Sequence, residues 1–595
     1  MMKFEVKDQF ELNGKPFKIL SGAVHYFRIH LSQWADTLYN LKALGFNTVE
    51  TYIPWNFHEP QPNQFDFSGQ LDIEKFIQTA QALNLYVILR PSPFICAEWE
   101  FGGLPAWLLN QPNSRLRAND PQFLAAVERY YQNLLPHLVP YQVDNGGPVL
   151  MMQIENEYGS FGEDQAYLKQ VRDDLRAGGV TVPLFTSDGT WPEALAAGTL
   201  IDDDVLVTGN FGSHAVENFD AMTAFFNAHH QQWPLMCMEY WDGWFSRWGE
   251  PVIRRDIPEM IADLKALLQR GSLNLYMFRG GTNFGFMNGC SARKNHDLPQ
   301  VTSYDYDAIL SEAGVPTKKY FALQKMLKEL WPNLPQATPR TPKLTAYATV
   351  AADGQVGLLT CADYFTTTIS RYPLSFEQLA HYYGYVLYRT TANTPRPTEA
   401  LKVIDANDNV QLFANQRLLA SQTGEAIGDE LTFAAPKTTT QIDVLVENQG
   451  RVNYGYKLQA PSQRKGIKGG VMVDHQFQIN WQQILVDFDQ ELLARLPYQP
   501  VTTQHPTQPT LTHFTVHLAQ VQSTFIDCSE YGKGCIIVNG TNIGRYWARG
   551  PIHSLYVPAG LLKPENEIVV FETEYTRVDS LKFLDHPLID QENPS

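Results

Sequence analysis

Residues 148–159 read PVLMMQIENEYG, an apolar run that stops abruptly in Glu155, Asn156 and Glu157. A strand covered on both faces shows as a continuous apolar stretch rather than an alternating one. Seven similar runs stand in the first 330 residues: KILSGAVHYF (18–27), TVETYIPW (48–55), YVILRPSP (86–93), PLFTSDG (183–189), VLVTGNFG (205–212), PLMCMEYW (234–241) and SLNLYMFRGG (272–281). Helical periodicity separates most of them. In LSQWADTLYNLKALG (31–45), Trp34, Leu38, Leu41 and Leu44 share one face, with Ser32 as the expected N-cap and Gly45 as the stop. Eight alternations of strand and helix predict a (β/α)₈ TIM barrel, although the gap between the fifth and sixth runs reads as too short for a full helix.

The texture changes near residue 335, where WPNLPQATPRTPKL (331–344) is rich in proline. Beyond it, runs such as YGYVLYRTT (383–391), TQIDVLVEN (440–448), FTVHLAQV (514–521) and NEIVVFETE (566–574) are divided by Gly, Asn and Asp turns, as in β-sandwiches. The break RLPYQPVTTQHPTQPTLTH (495–513) divides this half in two. The expected organisation is a barrel over 1–334, a linker and connecting segment over 335–382, and two β-sandwich or jelly-roll domains over 383–494 and 495–595.

Composition excludes several function classes. The net charge of −17 and the absence of any Lys/Arg run disfavour a nucleic-acid partner. No stretch approaches the roughly 18 apolar residues of a membrane span, and the N-terminal stretch lacks the pattern of a secretory signal, so a soluble, cytoplasmic protein is expected. The six cysteines form no CxxC pair and read as reduced thiols. No metal motif exists, and no cofactor is expected. A homodimer is the expected assembly.

In a barrel of this kind, chemistry sits at the C-terminal ends of the strands. Run four ends in Glu157, and run seven delivers Glu239 from an apolar and aromatic setting. Two carboxyl groups on non-adjacent strands can face each other across the mouth, as glycoside hydrolysis requires. A structural role is the simpler reading for Glu155, as for most partly buried carboxylates. Cys96 has no partner pattern for a nucleophile, His25 and His58 read as structural, and RGGTNFG (279–285) reads as a strand-end turn.

The stretches TYIPWNFHEP (51–60), LRPSPFICAEWEFGGLPAWLL (89–109), QIENEYGSFG (153–162), PLMCMEYWDGWFSRWG (234–249), NLYMFRGGTNFGFMNG (274–289) and TSYDYDAILSEAG (302–314) closely resemble the retaining β-galactosidases of glycoside hydrolase family 35. The likeness continues through LVENQGRVNYG (445–455) and VNGTNIGRYWARGP (538–551). It implies Glu157 as general acid/base, Glu239 as nucleophile and Asn156 on the sugar 2-hydroxyl. Tyr52, Cys96, Ala97, Glu98, Tyr276 and Tyr306 match the family's galactose-binding positions. Retention of configuration follows from that likeness, with the two carboxyl groups about 5–5.5 Å apart.

Trp241, Trp244 and Trp248 suit a platform for a second sugar ring, and Tyr454 is a candidate to close the same acceptor subsite. The expected substrate is a short galactosyl oligosaccharide, with β-1,3 linkage placed ahead of β-1,4 at the level of the family. An exo-β-glucosaminidase is the rival within the same chemistry, and a non-catalytic carbohydrate-binding protein is the rival outside it.

Overall fold

The eight apolar runs become eight parallel strands in the computed structural model, which describes residues 2–435 and 437–590. They are β1 (Leu20–Val24), β2 (Thr48–Tyr52), β3 (Tyr86–Arg90), β4 (Val149–Asn156), β5 (Leu184–Gly189), β6 (Leu206–Phe211), β7 (Met236–Trp241) and β8 (Ser272–Arg279). They close into one barrel in chain order, with β8 pairing back onto β1. Every strand residue except Tyr86 and Trp241 is buried, which is why the runs show no alternation.

A helix follows each strand: α1 (Trp34–Ala43), α2 (Ile73–Ala82), α3 (Pro121–Leu134), α4 (Gln165–Ala177), α5 (Pro192–Gly198), α6 (Ala215–Ala228), α7 (Ile257–Arg270) and α8 (Lys318–Leu330). Asp72, Asp120, Asp164 and Asp256 cap α2, α3, α4 and α7 by accepting first-turn amides. One local expectation changes. Ser32 does not cap α1, because its amide and hydroxyl are engaged by His30 in a 3₁₀ turn, and the helix begins two residues later at Trp34. Gly45 does stop the segment, at φ +102°. The gap between β5 and β6 holds α5, a helix of seven residues.

Among the described residues, Arg247–Pro251, Asn283–Thr302 and those from Lys343 onward form a second compact unit. In it a six-stranded and a four-stranded antiparallel sheet enclose Phe376, Val386, Val403, Val444, Val471 and Trp481. A five-stranded and a three-stranded sheet enclose Phe514, Ile536, Val538, Ile568 and Phe583. A third apolar cluster, with Leu387, Leu445, Ile484, Leu511, Ile537 and Phe571, is common to both sandwiches. Residues 335–382 supply edge strands to each: Thr367–Ser370 pairs with Trp481–Val486, and Gly354–Gly357 pairs with Thr510–His517.

All six cysteines are buried. Among the described residues no helix is long and apolar enough to cross a membrane.

Candidate active site

Strand β4 does not run straight into its glutamates. Its register against β5 slips by one residue between Gln153 and Asn156, and such a bulge re-aims the side chains beyond it. Gln153 and Asn156 consequently both meet Arg90 inside the barrel, while Glu155 turns outward to a two-pronged pair with Arg117 at 2.9 Å for each bond. Glu157 then leaves the strand in the left-handed region (φ 46°, ψ 41°), its amide donating to the Ser187 carbonyl at 3.0 Å. That conformation is uncommon for a residue with a Cβ and costs about 1 kcal/mol, so the surroundings must hold it.

Glu239, on β7, accepts from three donors. Arg90 Nη1 (2.7 Å) and the Tyr52 hydroxyl (2.5 Å) reach Oε1, and Trp241 Nε1 (3.1 Å) reaches Oε2. Arg90 is itself fully buried, with its other nitrogens on Asn156 Oδ1 (2.7 Å) and Gln153 Oε1 (2.6 Å) and with Glu50 3.7 Å from its Nε. The Tyr52 hydroxyl also lies 2.8 Å from Asn156 Oδ1.

Glu157 has the opposite environment. One polar side chain, Asn210 at 3.0 Å, donates to its Oε1, and Asn210 is held in turn by Ser187. Burial, reinforced by the charge of Glu239, pushes the Glu157 carboxyl from 4.5 up to about 8. The two carboxyl groups therefore differ in kind, one bathed in donors and one raised by desolvation and by the charge of Glu239.

The opposite wall is formed by the segment after β3 and by the tyrosines on and after β8. Cys96, Ala97 and Glu98 all take positive φ (55°, 47° and 48°). Behind this turn Arg28 donates to the Ala97 carbonyl at 2.6 Å and lies 3.7 Å from the centre of the Tyr304 ring. Tyr304 donates to Glu98 and meets the Tyr276 hydroxyl at 3.1 Å, while Tyr306 packs against both tyrosine rings, with centroids 5.4 and 5.3 Å away. The His25 ring stands 5.6 Å from Tyr52 and 5.7 Å from Tyr276, joining this wall to the Glu239 side.

The barrel mouth thus gathers Tyr52, Cys96, Ala97, Glu98, Asn156, Glu157, Glu239, Trp241, Tyr276 and Tyr306. The Trp241 indole N–H donates to Glu239, and Trp244 packs edge-on against the Trp241 ring at 5.9 Å. Trp248 and Tyr454 belong to the other unit, where Tyr454 is 42% exposed. Cys96 is buried, and His25 and His58 bond to Arg28 and to Tyr26 and the Asp66 carbonyl.

Sequence reasoning missed Arg90, Tyr304 and Asn210. Each carried a signal: a guanidinium ending the apolar run YVILR, a tyrosine beside Tyr306 in TSYDYD, and a strand-end asparagine in VLVTGNF. Among the described residues, no group of three or more His, Cys, Asp or Glu is placed to hold a metal ion.

A half-buried acid of raised pKa and a donor-fed carboxylate at one barrel mouth can protonate a leaving oxygen and attack or stabilise a developing sugar cation. The sequence profile described as "Glycosyl hydrolases family 35" matches residues 9–330. "Beta-galactosidase, first all-beta domain" matches 373–487, and "Beta-galactosidase, galactose-binding domain" matches 509–567. The chain is 40% identical to the "Beta-galactosidase" of Xanthomonas manihotis over 92% of its own length and 90% of that protein. It is 37% identical to the "Beta-galactosidase" of Mus musculus, covering 98% and 94%, and 36% identical to the human "Beta-galactosidase-1-like protein 3", covering 98% and 88%. The chain belongs to the glycosyl hydrolases of family 35 and is a glycoside hydrolase.

Proposed function

We propose that this protein is a retaining exo-β-galactosidase, which removes terminal, non-reducing β-D-galactose from short oligosaccharides. The observation that carries the reading is the contrast between the two glutamates: Glu239 fed by Arg90, Tyr52 and Trp241, and Glu157 half-buried with its carboxyl pushed up to about 8. The names of the related proteins support galactose as the sugar.

In the first step a Glu239 oxygen bonds to the anomeric carbon as the bond to the leaving oxygen breaks, and that oxygen takes the proton of Glu157. In the second, water adds to the anomeric carbon and gives a proton to Glu157, and the Glu239 ester bond breaks. Two inversions retain the configuration. Asn156 is the partner of the 2-hydroxyl, while Glu98 and the tyrosine wall face the remaining hydroxyls.

The test is a hydrolysis panel of β-1,3-, β-1,4- and β-1,6-linked galactosyl N-acetylglucosamine, followed by NMR, with Glu239→Gln as the blank. β-Galactose released first, fastest from the β-1,3 linkage, is expected. First-formed α-galactose would overturn retention, and equal inactivity of wild type and blank on all three would overturn the substrate.

A further inference from the structure

Both glutamate-bearing strands carry the same device. In β4 an extra residue precedes Asn156, and the Asn156 carbonyl accepts from Arg117 Nη2 at 2.7 Å. In β7 the register slips by one residue against both β6 and β8 between Cys237 and Tyr240, and the Met238 carbonyl accepts from Asn274 Nδ2 at 2.8 Å. In each strand the side chain takes the carbonyl of the residue immediately before the glutamate.

A bulge disrupts the ladder where it sits, and a buried carbonyl left without a partner is destabilising. Satisfying that carbonyl would need only one donor. Both side chains are held more firmly than this. Arg117 grips Glu155 through two bonds of 2.9 Å, and its guanidinium lies 3.7 Å and 4.3 Å from the ring centres of Phe94 and Phe161. Asn274 also faces Glu50 Oε2 at 3.5 Å, from the interior of β8. The peptide plane that bears each carbonyl also bears the amide nitrogen of the following glutamate, so fixing the plane fixes the N–Cα bond from which that side chain is hung and leaves only rotation about φ to place its Cβ.

We propose that Arg117 and Asn274 are positioning residues, which aim Glu157 and Glu239 respectively by clamping the peptide bond before each. The inference rests on the roles assigned above to the two glutamates. It makes the two clamps separable, because misplacing an acid harms only reactions that need a proton, whereas misplacing a nucleophile harms every leaving group alike.

The experiment uses the full chain and measures kcat/KM, which reports the first covalent step, on aryl β-galactosides from dinitrophenyl to methoxyphenyl. Variants are Arg117→Lys, Arg117→Met, Asn274→Leu and the near-isosteric Asn274→Asp, with Glu157→Gln and Glu239→Gln as references. Arg117→Met should lower kcat/KM about 100-fold for methoxyphenyl galactoside and less than about threefold for dinitrophenyl galactoside, with Arg117→Lys in between. Both Asn274 variants should lose about 30- to 100-fold across the whole series, while the Kd of an uncharged galactose-like inhibitor stays within about threefold.

Uniform loss in the Arg117 variants, or inhibitor binding lost in proportion in the Asn274 variants, would overturn the proposal and leave only a structural role. If Glu157→Gln itself showed no dependence on leaving group, or Glu239→Gln stayed active, the roles of the glutamates would have failed instead. Asn274→Asp and Arg117→Lys keep the test decisive if the apolar variants do not fold.

Discussion

Arg90 Nη1 donates to Glu239 Oε1 at 2.7 Å from a wholly buried position, and Nη2 of the same guanidinium donates to Asn156 Oδ1 at 2.7 Å. One rigid cation thereby sets the distance between the carboxylate of β7 and the amide of β4. Its rigid fork explains why a point charge could not replace it.

Arg90→Met should abolish measurable turnover and destabilise the fold by roughly 3–5 kcal/mol, because it leaves the Glu239 and Glu50 carboxyl groups buried without their cation. Arg90→Lys should fold and lose about 100-fold in kcat, since one ammonium cannot hold three acceptors in a plane. Denaturation in urea and steady-state kinetics check both.

The pH profile follows from Glu157. Its carboxyl is raised from 4.5 to about 8, so the protonated form needed for acid catalysis is lost as pH rises through about 8, and kcat/KM should fall along that limb. The sign for stability is the same: the contribution is fully present below 4.5 and gone above about 8. Glu157→Gln should remove that part of the pH dependence of the unfolding midpoint. Asp188, whose charge helps to raise Glu157, accepts from the Gly159 amide at 2.8 Å, and Asp188→Asn should move the alkaline limb of kcat/KM to lower pH.

Tyr304→Phe removes the hydroxyl that donates to Glu98 and meets Tyr276 at 3.1 Å. KM for an aryl galactoside should rise about tenfold, with little change in melting temperature, because the ring and its packing on Arg28 remain. An unchanged KM would remove the Glu98 wall from sugar recognition.

Trp244 packs against Trp241, whose indole is tied to the nucleophile candidate. Trp244→Ala should therefore weaken turnover of a galactosyl disaccharide by about tenfold more than that of an aryl galactoside. Trp241→Phe should harm both alike, since it strips a hydrogen bond from Glu239.

Gly280→Ala would put a Cβ 1.6 Å from the Tyr304 carbonyl oxygen, and Gly243→Ala one 1.7 Å from that of Tyr306. Each should displace the tyrosine wall, reducing both stability and galactoside binding, as thermal melts and inhibitor titration would show. No backbone adjustment of a few tenths of an ångström relieves such overlaps.

The barrel was legible in the sequence because strands covered on both faces must be apolar throughout, and the eight runs left few other readings. Glu157 and Glu239 were legible for the same reason, as carboxyl groups out of place at the ends of those runs. The extent of α5 and the start of α1 were less so: one is a short helix closed over Asp188, and the other depends on a histidine that occupies the expected capping serine.

What the sequence determined by itself, then, was the alternation of elements and the kind of residue at each strand end, since burial and periodicity are local properties of the chain. Only the tertiary structure decided that Gln153 and Asn156 face inward together, that Glu155 faces away, and that Arg90 meets Glu239 across 149 positions of sequence. One-residue slips in β4 and β7 reverse the alternation that a linear reading assumes. Those slips bring in side chains from elsewhere in the chain, with Arg117 donating to the Asn156 carbonyl and Asn274 to the Met238 carbonyl, which no local reading of β4 or β7 contains.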